Sequence, residues 1–310
     1  INAASIPIQK FYNIAQLDLS RDESGCLIPF SADDADKKKE LVSIFKLSQI
    51  SDEEKQQLST ALHAVLSDVA DAVQDWQQMQ ALMMEVVETW KHASKSPSKA
   101  KKYDQVVAFM DWMHAYYTYL GARCYSLTGV GGARKFRRDR SNALGVMKSK
   151  RLESSEDFIY QEKQLHDIQK HVENNLFYMT KSTMKCGIHR DIYADLFVLR
   201  MLDKSGEIIG EVRFLGLLSS EAYDADPSKI PWIGEKIKDV VTQAKLKSRY
   251  SNKSLTHILK NIPTDELFQC TVTELKKNAL AQLAVKGLRE TRAIIRRDIL
   301  GAFYTLTLLM

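Results

Sequence analysis

The sequence predicts an α+β fold of antiparallel sheets with flanking helices, on three observations. Ile192 to Leu218 carries two apolar arms around Asp203-Lys204-Ser205-Gly206, a turn whose glycine can take positive φ, which specifies a hairpin. From Leu58 to Trp90 apolar residues return at three- and four-residue steps, the period of an amphipathic helix. From Pro231 to Leu288 three helical stretches follow one another, so runs of strands and runs of helices are segregated along the chain.

Taken in order, residues 11 to 45 alternate weakly, with Ile14, Leu17 and Leu19 before Asp22-Glu23-Ser24-Gly25 and Leu41 to Phe45 after a charged loop. This predicts two or three strands. Ser51 and Glu54 have capping-box spacing, which starts a helix by satisfying its orphan amides. That helix carries Leu58, Leu62, Val65, Val69, Val73, Trp76, Met79, Met83, Val86 and Trp90 along one stripe. The stripe either packs on the strands and a neighbouring helix or forms an exposed coiled-coil seam.

Lys95 to Lys102 is a polar break containing Ser96-Pro97-Ser98, and a domain boundary is expected near it. A helix over Tyr103 to Tyr116, a strand over Tyr117 to Leu127, a Gly-rich basic loop and a short strand over Ala143 to Met147 come next. Ser154 to Asp157 should cap a helix reaching Val172, and Leu176 to Met184 reads as a third strand. The hairpin then supplies the fourth and fifth strands of a central sheet. In its second arm Ile208, Gly210, Val212, Phe214 and Gly216 share one face, and Ile209, Glu211, Arg213, Leu215 and Leu217 the other. Neither face is purely polar, so this strand is central and covered on both sides.

After Ser219-Ser220 a helix begins near Pro231 and contains Val240 and Val241; a second runs from Ser251 to Ile262 before Pro263; a third is capped by Thr271 to Glu274 and runs to Leu288. Thr291 to Arg297 and Ala302 to Met310, around Asp298 to Gly301, form a last hairpin with no polar exit. Both ends read as cut, so the chain is expected to be a piece of a longer polypeptide whose function lies elsewhere.

The 310 residues are 45% apolar, enough for two or three domains with their own cores. A formal charge of +5, from 44 basic and 39 acidic residues, sets up no general attraction to nucleic acid or to a membrane surface. Cys26, Cys124, Cys186 and Cys270 form no CxxC pair, which points to reduced thiols and a cytoplasmic location. No apolar run approaches the roughly 20 residues that span a bilayer.

Local clusters carry little chemistry. Gly129 to Gly132 followed by Arg134, Lys135, Arg137, Arg138 and Arg140 resembles a phosphate cradle, but Arg134 stands where a dinucleotide fingerprint needs Gly or Ala, and no GK[ST] follows. A solvated loop, a surface for an anionic ligand or acidic partner, and a nucleic-acid contact are the readings, in descending order. Cys186 and His189 lack a second ligand pair. His166 and His171, five apart, do not share a helical face. No GxSxG or HExxH string occurs.

Several strings nonetheless carry a family resemblance. Asp75-Trp76, Phe109-x-x-Trp112, Tyr117 to Gly121, Leu144-Gly145, Lys181-Ser182-Thr183, His189 to Tyr193, Gly210 to Leu217, Ser220 to Tyr223 and Asp265 to Phe268 fall in order as in the very large bacterial NAD-specific glutamate dehydrogenases. The chain departs from the usual pattern at Ala122-Arg123, where the family often has Tyr-Arg, and stops before a Pro-Arg-Asp that often follows the last strand. The resemblance implies a fragment of the long non-catalytic amino-terminal half of such an enzyme. Its implied organisation is the end of an ACT-like domain with a long helix over residues 1–98, a PAS-like sheet over 99–219, a helical connector over 220–289, and the truncated start of a further ACT-like domain over 290–310.

For the parent chain the resemblance implies oxidation of L-glutamate to 2-oxoglutarate and ammonia with hydride transfer to NAD. No position here matches that family's catalytic Lys and Asp motifs or its Gly-rich fingerprint, so no catalytic, cofactor-binding or metal-ligating residue is assigned, and NAD is expected only in the parent enzyme. The piece is expected to be inactive by itself and to serve either as an assembly scaffold, pairing as a homo-oligomer and with the rest of the parent chain, or as an amino-acid sensing module acting on a distant active site.

Overall fold

A computed structural model describes residues 6–27, 38–93, 97–129, 134–149, 176–185, 187–188, 192–285, 291–298 and 304–309. The fold is α+β, with antiparallel sheets and flanking helices. It comprises two compact units, residues 1–65 and 66–310.

The first unit holds an antiparallel ribbon of β1 (Ile8–Leu19) and β2 (Lys38–Leu47). Directly opposed in register, the rings of Phe11 and Phe45 stack with centroids 4.8 Å apart. Asp22 folds the chain back after β1: its carboxylate accepts from the N–H of Ser24 and of Cys26, and Gly25 takes φ of 83°. Arg21 then grips both oxygens of Glu40 at 2.6 and 2.7 Å. The capping box forms as expected, with Ser51 N–H and Oγ on Glu54 at 2.7 and 2.8 Å and Glu54 N–H on Ser51 Oγ at 3.2 Å. It opens α1 (Asp52–Ala93), whose residues from 66 onward belong to the second unit.

The second unit is built on five strands, β3 (Tyr117–Thr128), β4 (Lys135–Gly145), β5 (Phe177–Lys185), β6 (Tyr193–Leu202) and β7 (Ile208–Leu218), in the spatial order β4-β3-β7-β6-β5. Every neighbouring pair is antiparallel. Its centre is β7, as the apolar pattern on both of its faces requires. The β6–β7 turn is fastened by Asp203, whose carboxylate accepts from Ser205 and Glu207 N–H, while Gly206 takes φ of 88°. Within β7, a Cβ at Gly216 would lie 2.3 Å from the Thr118 carbonyl oxygen, so the close approach of β3 requires glycine there.

One continuous core joins Phe177, Met179, Phe197, Leu199, Val212 and Phe214 of the sheet to Met79, Met83, Val87 and Trp90 of α1 and to Val106, Phe109, Met110 and Met113 of α2 (Pro97–Tyr116). Trp90 donates its indole N–H to the Arg200 carbonyl at 2.8 Å, which satisfies the one polar atom the buried ring carries. A smaller cluster of Leu120, Val146, Ala194, Leu215 and Leu217 receives Ala72 of α1. The charged residues of the central strands are buried as a group: Arg200 and Arg213 bind Glu211 at 2.5 and 2.8 Å. The Arg200 guanidinium lies over the rings of Phe136 and Tyr178, and that of Arg213 over Tyr125.

Beyond the sheet come α3 (Ser220–Asp224), α4 (Ile233–Ala244), α5 (Arg249–Lys260), α6 (Thr264–Gln269) and α7 (Val272–Val285), followed by the hairpin of β8 (Arg292–Arg297) and β9 (Tyr304–Leu309). Ile233, Ile237, Leu255, Leu259, Leu275 and Ala279 extend the main core into this layer. Phe109 is the junction, with ring centroids 5.3 Å from Phe177, 5.2 Å from Trp232 and 5.5 Å from Phe268.

Four details differ from the sequence expectation. The helix expected from Tyr103 starts at Pro97, a residue suited to a first helical position because its missing N–H has no partner there anyway. The arginines expected in a loop lie largely in β4, which begins at Lys135 because that stretch ladders directly onto β3. Val146 and Met147, expected to end a strand, begin a 3-10 turn, Val146–Lys148, after Gly145 at φ of 56°. Two short helices, α3 and α6, join the three expected in the connector, each begun by a capping Ser219 or by Pro263. The helix expected over 154–172 lies outside the described residues.

Candidate functional site

A polar convergence lies where the β5 edge of the sheet meets α3 and α6. Asp195 is an isolated acid in the apolar run of β6, only 1% exposed, and its register partner across the ladder is Lys181 of β5. The Lys181 ammonium reaches Asp195 Oδ1 at 2.5 Å and Asp265 Oδ2 at 3.1 Å. Tyr223 of α3 donates its hydroxyl to Asp265 Oδ1 at 3.2 Å, and the second oxygen of Asp195 accepts the Leu218 N–H at 3.2 Å. Tyr117 adds a hydroxyl donated to the Asp195 carbonyl at 2.8 Å. One ammonium thus bridges two carboxylates from different layers.

The electrostatics follow from burial and pairing. Burial pushes the Asp195 carboxyl upward and Asp265 adds to that, while Lys181 pulls it back. Burial works against the charge on Lys181, but Asp195 and then Asp265 outweigh it and hold the ammonium above its ordinary value. The Tyr223 hydroxyl is raised by burial, then by the two carboxylates. Lys181 therefore stays charged and Tyr223 stays a neutral donor, an arrangement suited to holding two layers together. Neither group is tuned as an acid or base near neutral pH.

Tyr223 and Asp265 also form one wall of an open cleft of about 580 Å³, completed by Asp224, Asp226, His257, Lys260 and Thr264 among others. Lys260 binds Asp226 at 3.1 Å across it. Asp226 caps the following turn through Ser228, and those hydrogen bonds with Lys260 bring its carboxyl down to about 2. Nearby, the buried Lys236 gives its ammonium to the carbonyls of Leu267 and Cys270 at 3.0 and 2.7 Å, the carbonyl end of α6, and lies 3.9 Å from the Trp232 ring centroid. Glu266 of α6 reaches outward to Arg296 of the last hairpin at 2.9 Å.

The basic stretch from Gly129 to Arg140 is placed elsewhere, at the outer edge of the sheet. Residues 130–133 lie outside the described residues, while Arg137, Arg138 and Arg140 line a cleft of about 460 Å³ with Ser126, Thr128, Asp139 and Ser141. Cys186, His189, His166 and His171 also lie outside the described residues. Among the described residues no group of three or more His, Cys, Asp and Glu is placed to hold a metal ion, and no helix is long and apolar enough to cross a membrane.

Sequence reading assigned no site residue, yet Lys181, Tyr223 and Asp265 each sit in a string that carried the resemblance, and the fold brings those strings together. Asp195 was missed. Its signal was a single carboxylate inside YADLFVLRML, a strand otherwise almost wholly apolar and therefore one that buries whatever polar group it contains.

A family model described as "Glutamate dehydrogenase, helical motif 1" matches residues 230–287, the stretch that contains α4 to α7 and hence Asp265. The NAD-specific glutamate dehydrogenase of Pseudomonas aeruginosa is 28% identical over 248 residues, covering 79% of this chain and 15% of that protein. That of Halomonas elongata is 26% identical, covering 98% of this chain and 19% of that protein. The chain therefore spans less than a fifth of the length of these curated relatives. With the helical motif matched and nearly the whole chain aligned, this chain is similar to a stretch of the bacterial NAD-specific glutamate dehydrogenases.

Proposed function

We propose that this chain is a non-catalytic assembly and control segment of an NAD-specific glutamate dehydrogenase, whose whole polypeptide converts L-glutamate and NAD to 2-oxoglutarate, ammonia and NADH. The observation that carries this reading is the Lys181–Asp195–Asp265–Tyr223 network. Its charges are spent on one another, between the sheet and the helical motif, with pKa directions that favour fixed pairing over proton transfer. A rigid joint between two layers is what a segment needs in order to carry position from one part of a large enzyme to another.

The test is Lys181→Met in the polypeptide that contains the chain. Assembly state or the concentration of glutamate giving half-saturation should change, while hydride transfer at saturation persists. Loss of the chemical step with assembly and substrate binding intact would contradict the reading.

A second reading, a small-molecule sensor of amino-acid type, is favoured by the cleft beside the network. It offers Asp224 for an ammonium, and His257 and Lys260, the latter already on Asp226, for a carboxylate, on walls shared with the joint. Retained assembly together with loss of an effector response on Lys260→Ala would favour this second reading.

A further inference from the structure

The basic stretch of β4 is built around a bulge. Tyr125 of β3 stands opposite Arg138, but Arg123 stands opposite Ala143, so Asp139, Arg140, Ser141 and Asn142 are set against the single residue Cys124. Such an insertion bends a strand and re-aims its side chains. Asp139 fixes this one: its carboxylate accepts from the Ser141 N–H at 2.9 Å, the Ser141 hydroxyl at 2.6 Å and the Asn142 side-chain amide at 2.6 Å. Those bonds, the Ser141 hydroxyl's first, hold its carboxyl below the ordinary range, so it stays charged with its oxygens engaged on the turn.

In a regular strand Arg137 and Arg138 would leave on opposite faces. β4 is an edge strand, however, and here the two line one cleft of about 460 Å³ together with Arg140. Ser126, across the ladder from Arg137, adds a hydroxyl to the wall. Both Ser126 and Arg137 are exposed, and Arg137 pairs with no carboxylate among the described residues. Three guanidiniums thus face one carboxylate that is already engaged, in a cleft within the size range of small-molecule sites, about 300–1,000 Å³.

We propose that this cleft at the β4 edge binds a small dianion that ends in carboxylate or phosphate-monoester groups. A guanidinium fork presents parallel N–H donors matched to two oxygens of either group. The excess of positive charge on the wall selects two negative charges over one. A flat basic surface would suit an extended acidic chain; a concave one with a hydroxyl beside the forks suits a ligand that fits inside it. The cleft lies at the opposite edge of the sheet from Lys181, which is on β5, so it does not depend on the assembly reading.

The test is calorimetric titration of the 310-residue chain with succinate and, separately, with glycerol 3-phosphate, at about 0.1 M salt so that exposed charges are screened beyond about 10 Å. One of the two should bind one to one with a dissociation constant below about 10 mM, and acetate, a monoanion, about tenfold or more weaker. Arg137→Gln and, independently, Ser126→Asp, which sets a carboxylate opposite Arg137, should each weaken binding about tenfold or more. Lys247→Gln/Lys253→Gln, an exposed basic pair outside the cleft, should leave binding unchanged, and thermal melts show that each variant folds. Whichever probe binds more tightly names the source, dicarboxylate or phosphate ester. No saturable heat with either probe overturns the site, as does binding that Arg137→Gln or Ser126→Asp leaves intact. Acetate binding as tightly as the dianions, or equal weakening by the lysine pair, would mean general attraction to positive charge and overturns it too.

Discussion

Replacing Phe214 by Ala tests the central packing of the sheet. Phe214 is fully buried in the central strand, directly opposite Ala122 on one neighbour and Phe197 on the other, with its ring edge-on to Tyr119 at 5.8 Å. Truncation removes the transfer energy of a ring and leaves a cavity, together about 3–5 kcal/mol. The Tyr119 contact, about 0.5–1.5 kcal/mol beyond area, is included in that cost. Collapse cannot recover much, because Ala122 is small and the next same-face residue in β7 is Gly216, closed in by the Thr118 carbonyl. The expected loss is therefore about 4 kcal/mol, near the middle of that range. With a urea slope of about 2–3 kcal/mol/M, the midpoint falls by about 1–2 M. Tryptophan fluorescence is the assay, since Trp90 is hydrogen-bonded to the neighbouring strand. Leu306→Ala, at a site 58% exposed, is the control and should change stability by less than about 0.5 kcal/mol. A Phe214→Ala midpoint equal to that of the control would refute the reasoning.

Lys181→Met should cost about 3 kcal/mol, the low end for breaking a buried pair, because Lys181 is 27% exposed and Asp195, 1% exposed, loses its counter-charge and answers by taking up a proton; an unchanged denaturation midpoint would show that the joint contributes nothing. Asp226 has a folded pKa of about 2 against 3.8, so its contribution is present above pH 3.8 and is lost as pH falls through 2. Asp226→Asn should accordingly show less acid-dependent destabilisation in that window, measured by thermal melts; identical acid limbs would contradict this. Alkylation followed by mass spectrometry should modify exposed Cys26 before Cys124 and Cys270, whose thiols burial pushes up to about 11 and about 12. Faster modification of Cys270 would mean that its layer opens readily.

Local chemistry made much of this fold legible. The turns at Asp22 and Asp203 and the capping boxes at Ser51 and Thr271 each write their structure into a few adjacent residues, and each forms where expected. Central placement of β7 followed from apolar residues on both faces of one strand. The start of β4 was not legible, because arginine and serine side chains at a strand edge look like loop; only the ladder with β3 decides. For the same reason the stripe of α1 could not be divided by sequence. Periodicity gives Val73 and Met83 equal standing, whereas the fold buries Met83 and leaves Val73 exposed. The joint at Lys181 needed four segments from 181 to 265, a convergence that no local pattern encodes.

The most direct test of the account is a calorimetric titration of NAD into the 310-residue chain, followed by a spectrophotometric assay for NADH with L-glutamate. The sequence carries neither dinucleotide fingerprint nor GK[ST] loop to hold a pyrophosphate at a helix start, so the proposed non-catalytic role predicts no saturable heat and no NADH. Saturable NAD binding in the micromolar range, or glutamate-dependent NADH formation by this chain alone, would contradict it.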